Sequence, residues 1–194
     1  MLFMINIKLS EKDKKFLLNL ARQSITYFLE NNKIMNFDEN RIKSSILKRK
    51  LATFVTLTEN GMLRGCIGNL KPMQPLYLSV INNSVAAAFE DPRFPKLQHE
   101  ELNKIKIEIS ILTEPKKIDY NSQQDLIKKI RAGRDGIIIK YANRQATFLP
   151  QVWKELSNKE EFLSHLCLKA MLPPDFWKKS HLEVFKYHVL SFEE

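Results

Sequence analysis

Hydrophobic and polar positions alternate along this chain with two periods, and those periods define its elements. Phe16, Leu17, Leu20, Ala21, Ile25 and Phe28 recur at helical spacing, which predicts a first helix from Ser10 to about Asn31–Asn32. Ser10, with Asp13 three residues on, supplies its capping box. Ala52 to Thr58 is rich in β-branched residues and predicts a strand. Asn60-Gly61 is a two-residue hairpin turn, so Met62 to Gly68 returns as the partner strand. With that loop, Glu59 pairs with Met62, Leu57 with Arg64 and Val55 with Cys66. Side chains alternate between faces, so Arg64 and Cys66 share one face with Val55 and Leu57, while Leu63, Gly65 and Ile67 share the other with Phe54. Apolar residues on both faces predict a hairpin at the centre of its sheet, covered on both sides.

Pro72 and Pro75 stop that strand and open a helix carrying Leu76, Val80, Val85 and Phe89; Asp91-Pro92-Arg93-Phe94-Pro95 terminates it. Ile105, Ile107, Ile109 and Ile111 alternate with Lys104, Lys106, Glu108 and Ser110, the pattern of a half-buried strand. Ser122 and Asp125 cap a helix to about Arg131, with Gly133 as its left-handed stop. Ile137-Ile138-Ile139 is a buried strand, turned near Asn143 into a partner ending at Thr147-Phe148-Leu149. Pro150 opens a short helical turn with Trp153, Ser157 and Glu160 cap a helix to about Leu172, and Leu182 to Phe192 closes the sheet. Strands and helices mix without regular βαβ alternation, so the fold class is α+β, with mixed sheets and packed helices. Residues 1–194 form a single domain, with a smaller subdomain expected around 61–100.

Composition narrows this picture. Hydrophobic residues at 44% are ample for a packed interior, and no run approaches the ~18 apolar residues of a membrane span. Met1 to Leu9 lacks the leading charge, long apolar stretch and cleavage site of a signal peptide. Two cysteines make no disulfide framework, which reads as a cytosolic (cytoplasmic) protein with two free thiols. A net charge of +9 allows nucleic acid as a partner. The densest basic run, Arg41, Lys43, Lys48, Arg49 and Lys50, lacks interleaved aromatics for base stacking and reads as a solvated loop or short helix, with an anion contact as the alternative.

Candidate chemistry gathers at Leu63-Arg64-Gly65-Cys66-Ile67-Gly68. Three of the chain's five glycines, Gly61, Gly65 and Gly68, fall in or just before it. Arg64 lies two residues from Cys66 on one strand face, about 7 Å away, and a nearby guanidinium favours a thiolate. The competing reading makes Cys66 a small apolar side chain and the glycines room for a packed helix. A nucleophile also needs a base, and none is identifiable. His99, His165, His181 and His188 are scattered, and His165 and Cys167 lie about 200° apart on a helix, so no metal site is expected. Glu90 and Asp91 sit against a helix dipole. Either they pair with Arg93 and lock the proline-bounded turn, or one faces Cys66 as a base or ligand. Arg134-Asp135, between two glycines, is a turn lock or an anion contact.

The hexapeptide resembles the signature of the AMMECR domain family. Phe54-Val55-Thr56-Leu57, Ala87 through Pro95, Gly133-Arg134-Asp135-Gly136 and Thr147 through Trp153 are similar to its prokaryotic branch, called AmmeMemoRadiSam system protein A. The resemblance runs from Ser10 to Phe192 and departs where the family's Lys-Ala-Gly-Leu becomes Lys169-Ala170-Met171-Leu172. It implies an α+β fold of two interlocked subdomains and a link with Memo-like and radical-SAM proteins. It supplies neither a reaction nor a cofactor. The expected function is a binding or accessory module for those partners, using Arg64, Gly65, Gly68, Glu90, Arg93 and Arg134. The alternative is an enzyme that uses Cys66 as nucleophile, with Asp91 beside it, in modifying a macromolecule. Nucleic-acid binding through the basic surface rests on charge alone.

Overall fold

The structure is a computed structural model and describes residues 8–194, so most of Met1–Leu9 lies outside the described residues. Its elements are α1 (Glu11–Asn31), β1 (Ala52–Glu59), β2 (Met62–Gly68), α2 (Leu76–Phe89), β3 (Ile105–Leu112), β4 (Lys116–Lys117), α3 (Gln123–Lys129), β5 (Gly136–Tyr141), β6 (Arg144–Phe148), α4 (Lys159–Lys169), α5 (Phe176–Lys179), β7 (Glu183–Tyr187) and β8 (Val189–Glu193). Short 3-10 turns fill residues 39–41, 45–48, 99–101 and 150–154. This is the α+β arrangement expected, with two four-stranded sheets. The chain divides into two compact units, one ending at Leu112 and resuming over Leu190–Glu194, the other Thr113–Val189. Residues 61–100 all fall inside the first.

In the first unit the strand order is β2-β1-β3-β8. Val55 and Leu57 pair across from Ile109 and Ile107, and all four are fully buried. Each such side chain contributes about 1.5–3 kcal/mol by leaving water. α1 and α2 pack together, α2 against β1 and β2 and α1 against β3. The Ser10–Asp13 capping box forms as the sequence indicates. The basic stretch is partly structural. Ile42, Leu47 and Leu51 enter the core, the Arg41 guanidinium lies 5.6 Å over the Phe37 ring, and Lys48 pairs with Glu39 at 3.6 Å.

Two expectations for the hairpin need correction. The turn is as expected, with Asn60 and Gly61 both at positive φ, and Glu59 pairs with Met62. The register then slips: Thr58 pairs with Leu63, but Leu57 pairs with Gly65 and Thr56 with Cys66. Arg64 is therefore the extra residue of a β-bulge, and everything beyond it changes face. Cys66 shares a face with Thr56, not with Val55 and Leu57. The hairpin is also not central, because β2 is the edge strand of its sheet.

The second unit has strand order β4-β7-β5-β6, with Trp153, Phe162 and Trp177 among its buried residues. α3 starts from the Ser122 cap as expected and ends at Lys129. The α4 cap is Asn158, which accepts from the Glu160 and Glu161 amides, and not Ser157. Either residue suits an N-cap, and the two lie side by side. Leu182 to Phe192 is not one strand. It breaks at His188 into β7 in one sheet and β8 in the other.

α4 ends in a Schellman motif, with Leu172 N–H on Cys167 O and Met171 N–H on Leu168 O, each at 2.9 Å. Met171 occupies its left-handed position at φ +57°, with 78% of its surface exposed. A side chain there costs about 1 kcal/mol relative to glycine and gains no packing. Met171→Gly is expected to raise stability by about that amount in chemical denaturation; an unchanged or lower midpoint would refute the assignment.

Candidate functional site

Of the expected site residues of the first unit, Cys66, Asp91 and Arg93 meet at the outer edge of β2. Because Gly65 and Ile67 pair inward with β1, the main chain of Cys66 faces away from the sheet. Asp91, just past the end of α2, fills that gap: its Oδ2 accepts the Cys66 N–H at 2.8 Å. Arg93 Nη2 donates to the Cys66 carbonyl at 3.3 Å. The two side chains thus take the place of a neighbouring strand, the usual need of an exposed sheet edge. They also hold each other, Arg93 Nη2 donating to Oδ2 at 2.7 Å and Nε to Oδ1 at 2.9 Å. The Arg93 amide completes the turn at 3.1 Å.

The Arg93 hydrogen bonds, with those from the Cys66 and Arg93 amides, hold the buried Asp91 carboxyl well below the usual carboxylate range, against the opposing effect of burial. A carboxylate so placed is a poor proton acceptor. Asp91 contacts the main chain of Cys66 and closes the turn through the Arg93 amide and guanidinium. Glu90, the other carboxylate of the helix end, is exposed.

Gly65 and Gly68 are explained by close approach. A Cβ on Gly65 would lie 2.1 Å from the Ala87 carbonyl oxygen of α2, and one on Gly68 would lie 2.3 Å from Thr53 O. The glycines therefore make room for a packed helix and a neighbouring strand.

The bulge sends Arg64 away from Cys66. Arg64 is buried, with Nε donating to Glu101 Oε1 at 2.6 Å and Nη2 to Oε2 at 3.1 Å. Glu101 also accepts the Gln98 amide at 2.8 Å, and its carboxyl is held low first by the Arg64 bond. Arg64 Nη1 is buried with no partner among the described residues.

On the thiol's own face the neighbour is Thr56, whose Oγ1 lies 3.3 Å from Cys66 Sγ. Thr56 pairs in turn with Glu108 on β3. Cys66, Thr56 and Glu108 thus form one row across the polar face of the sheet. Glu108 is the carboxylate that reading from sequence missed. Its alternation placed it on the polar face, but only the bulged register brings Cys66 onto that face too. Its Oε1 accepts Ser110 Oγ at 3.1 Å.

Arg134 lies in the second unit, exposed, in the turn before β5. Its neighbour Asp135 is buried and accepts the Arg131 amide at 2.9 Å, which is the turn lock expected. Asp135 Oδ1 also meets His188 Nε2 at 3.1 Å, a contact spanning 53 residues that no local signal announces. Cys167 is fully buried in the core of the second unit, and burial pushes its thiol up. Among the described residues no group of three or more His, Cys, Asp or Glu side chains is placed to hold an ion, and no helix is long and apolar enough to cross a membrane.

Comparison with known proteins agrees with this architecture. The family profile described as AMMECR1 matches residues 18–192. Protein MK0488 of Methanopyrus kandleri is 40% identical over 195 residues, covering 96% of this chain and 91% of the relative. Protein NEQ441 of Nanoarchaeum equitans is 41% identical over 180 residues, covering 92% and 98%. The crystal structure of the uncharacterized protein PH0010 from Pyrococcus horikoshii superposes with a TM-score of 0.82 at 36% identity, covering 92% of this chain and 90% of that one. These names carry no reaction and no partner.

Proposed function

The chain belongs to the AMMECR1 family, and on that footing we propose that it is a binding or accessory module whose recognition surface is the outer edge of β2. One observation carries this reading. The Asp91 carboxylate and the Arg93 guanidinium are spent on the Cys66 main chain and on each other, which seals the edge at that residue. The exposed groups around it are those of a contact surface: Met62 at 70% and Leu63 at 44% exposure, and the Arg93 head group stacked 5.4 Å over Phe94. Apolar side chains with an arginine at a pinned edge are typical anchors for a protein partner. The finer resemblance to the AmmeMemoRadiSam branch supports Memo-like and radical-SAM proteins as the partners to test. Titration of a purified Memo-like protein into this chain is expected to give a complex that Leu63→Asp weakens at least about tenfold. Absence of any complex, or indifference to Leu63→Asp, would end the reading.

A second reading keeps Cys66 as a covalent nucleophile, favoured by its incomplete burial and by the Thr56 hydroxyl at 3.3 Å. Limiting iodoacetamide is expected to alkylate Cys66 before the fully buried Cys167, as read by peptide mass mapping. Faster labelling of Cys167 would contradict the burial on which both readings rest.

A further inference from the structure

The second unit carries a feature that the β2 edge does not involve. A half-open groove of about 500 Å³ lies between the β5–β6 turn and the segment that joins α4 to α5. Tyr141 and Arg144 line one side, Leu172, Pro173 and Phe176 the other. The Tyr141 and Phe176 rings meet edge to face at 4.7 Å. Tyr141 on its rim is 43% exposed, and Met171, whose carbonyl Arg144 holds, is 78% exposed. Apolar surface gathered at a groove marks an interaction site more than the same residues scattered singly.

Two observations say what fits there. The first is charge. Among the described residues no acidic side chain lines the groove, whereas Arg144 does, and Lys169 precedes its other wall at the end of α4. Neither cation has a carboxylate partner among the described residues, while the nearest acid in sequence, Asp175, is already paired with Lys179. Among the described residues the Arg144 guanidinium donates one bond, to the Met171 carbonyl, which ties the two walls together. The second is the sheet edge. β6 is the outer strand, and Tyr141–Arg144 closes its two-residue turn, so the alternation of the ladder turns the main chain of Gln145 outward. Lys169 covers the Thr147 carbonyl further along at 3.1 Å. Gln145, exposed and adjacent to Arg144, is left to pair with another chain.

We propose that this groove docks an extended, acidic peptide segment of a partner protein. Its main chain pairs with Gln145, an aromatic or leucine side chain enters the groove and packs against the touching Tyr141 and Phe176 rings, and a flanking carboxylate meets Arg144. This is recognition by strand addition with a side-chain pocket.

The test uses the full-length chain and a random peptide display library. Selection is expected to enrich peptides with Asp or Glu next to Leu, Phe or Trp. Fluorescence anisotropy of an enriched peptide should show affinity falling at least about tenfold with Arg144→Glu and with Tyr141→Ala, and staying within about twofold with Lys33→Glu, the same charge change on an exposed lysine elsewhere. Circular dichroism melting checks that the variants remain folded, and Phe176→Leu, a milder change, should still lose about threefold. Enriched peptides without acidic residues would overturn the proposal. So would binding that Lys33→Glu weakens as much as Arg144→Glu, or concentration-dependent self-association abolished by Tyr141→Ala, which would make the occupant a second copy of this chain.

Discussion

Gly65→Val is expected to destabilise the protein by about 3 kcal/mol or more, the largest effect of any single change at the motif. Even the first atom of a side chain would stand 2.1 Å from the Ala87 carbonyl oxygen. That oxygen belongs to the backbone of α2, so no rotamer change relieves the overlap; α2 or β2 must move. α2 packs on both β1 and α1, so displacing it opens the core of the first unit. Ala87→Gly removes only a methyl group and leaves the oxygen in place, so it is expected not to rescue Gly65→Val. Urea denaturation of the two single variants and the double variant measures this. A loss below about 0.5 kcal/mol, or clear rescue by Ala87→Gly, would show that the strand and helix are not in backbone contact.

Asp91→Ala is the second large effect, expected to cost about 2–4 kcal/mol. It strands the Cys66 amide, leaves Arg93 without its partner and exposes the β2 edge, so a rise in aggregation should accompany it. The same site makes stability depend on pH. The folded carboxyl titrates below its unfolded value, which lies near ~3.9. Its stabilisation is therefore fully present above that value and is lost as pH falls through the folded one. The stability difference between the natural protein and Asp91→Asn should be constant from neutral pH to about pH 5, then shrink with further acidification. A difference that holds unchanged down to about pH 2.5, or one that grows, would contradict the Asp91–Arg93 lock.

What was legible in the sequence was local. Ser10 with Asp13, Asn60 with Gly61 and the alternating isoleucines of β3 each act within a few residues, and each element formed where they indicate. The composition of 63–68 likewise located the site, because glycine is needed where a helix touches a strand. The register was not legible. It depends on Arg64 finding Glu101, 37 residues away, and on Gly65 facing Ala87, both of which favour a bulge that the hairpin turn does not signal. The edge position of β2 was hidden for a related reason. Its apolar residues read as burial on two sides, while the missing strand is replaced by two side chains of the Asp91 turn. The break at His188 follows from Asp135 and from the Thr113 hydroxyl, which accepts the His188 amide at 2.9 Å. Cys66 and Glu108 could be related only after the bulge was known.

On the proposed reading the β2 edge is recognised and the Cys66 thiol is not consumed. Its most direct test is Cys66→Ser in the titration against a Memo-like protein, with intact mass recorded on the natural chain after mixing. The predicted result is an affinity within about twofold of the natural chain and no added mass on Cys66. An affinity loss beyond about tenfold, together with a covalent adduct on Cys66, would contradict the claim and make the residue a nucleophile.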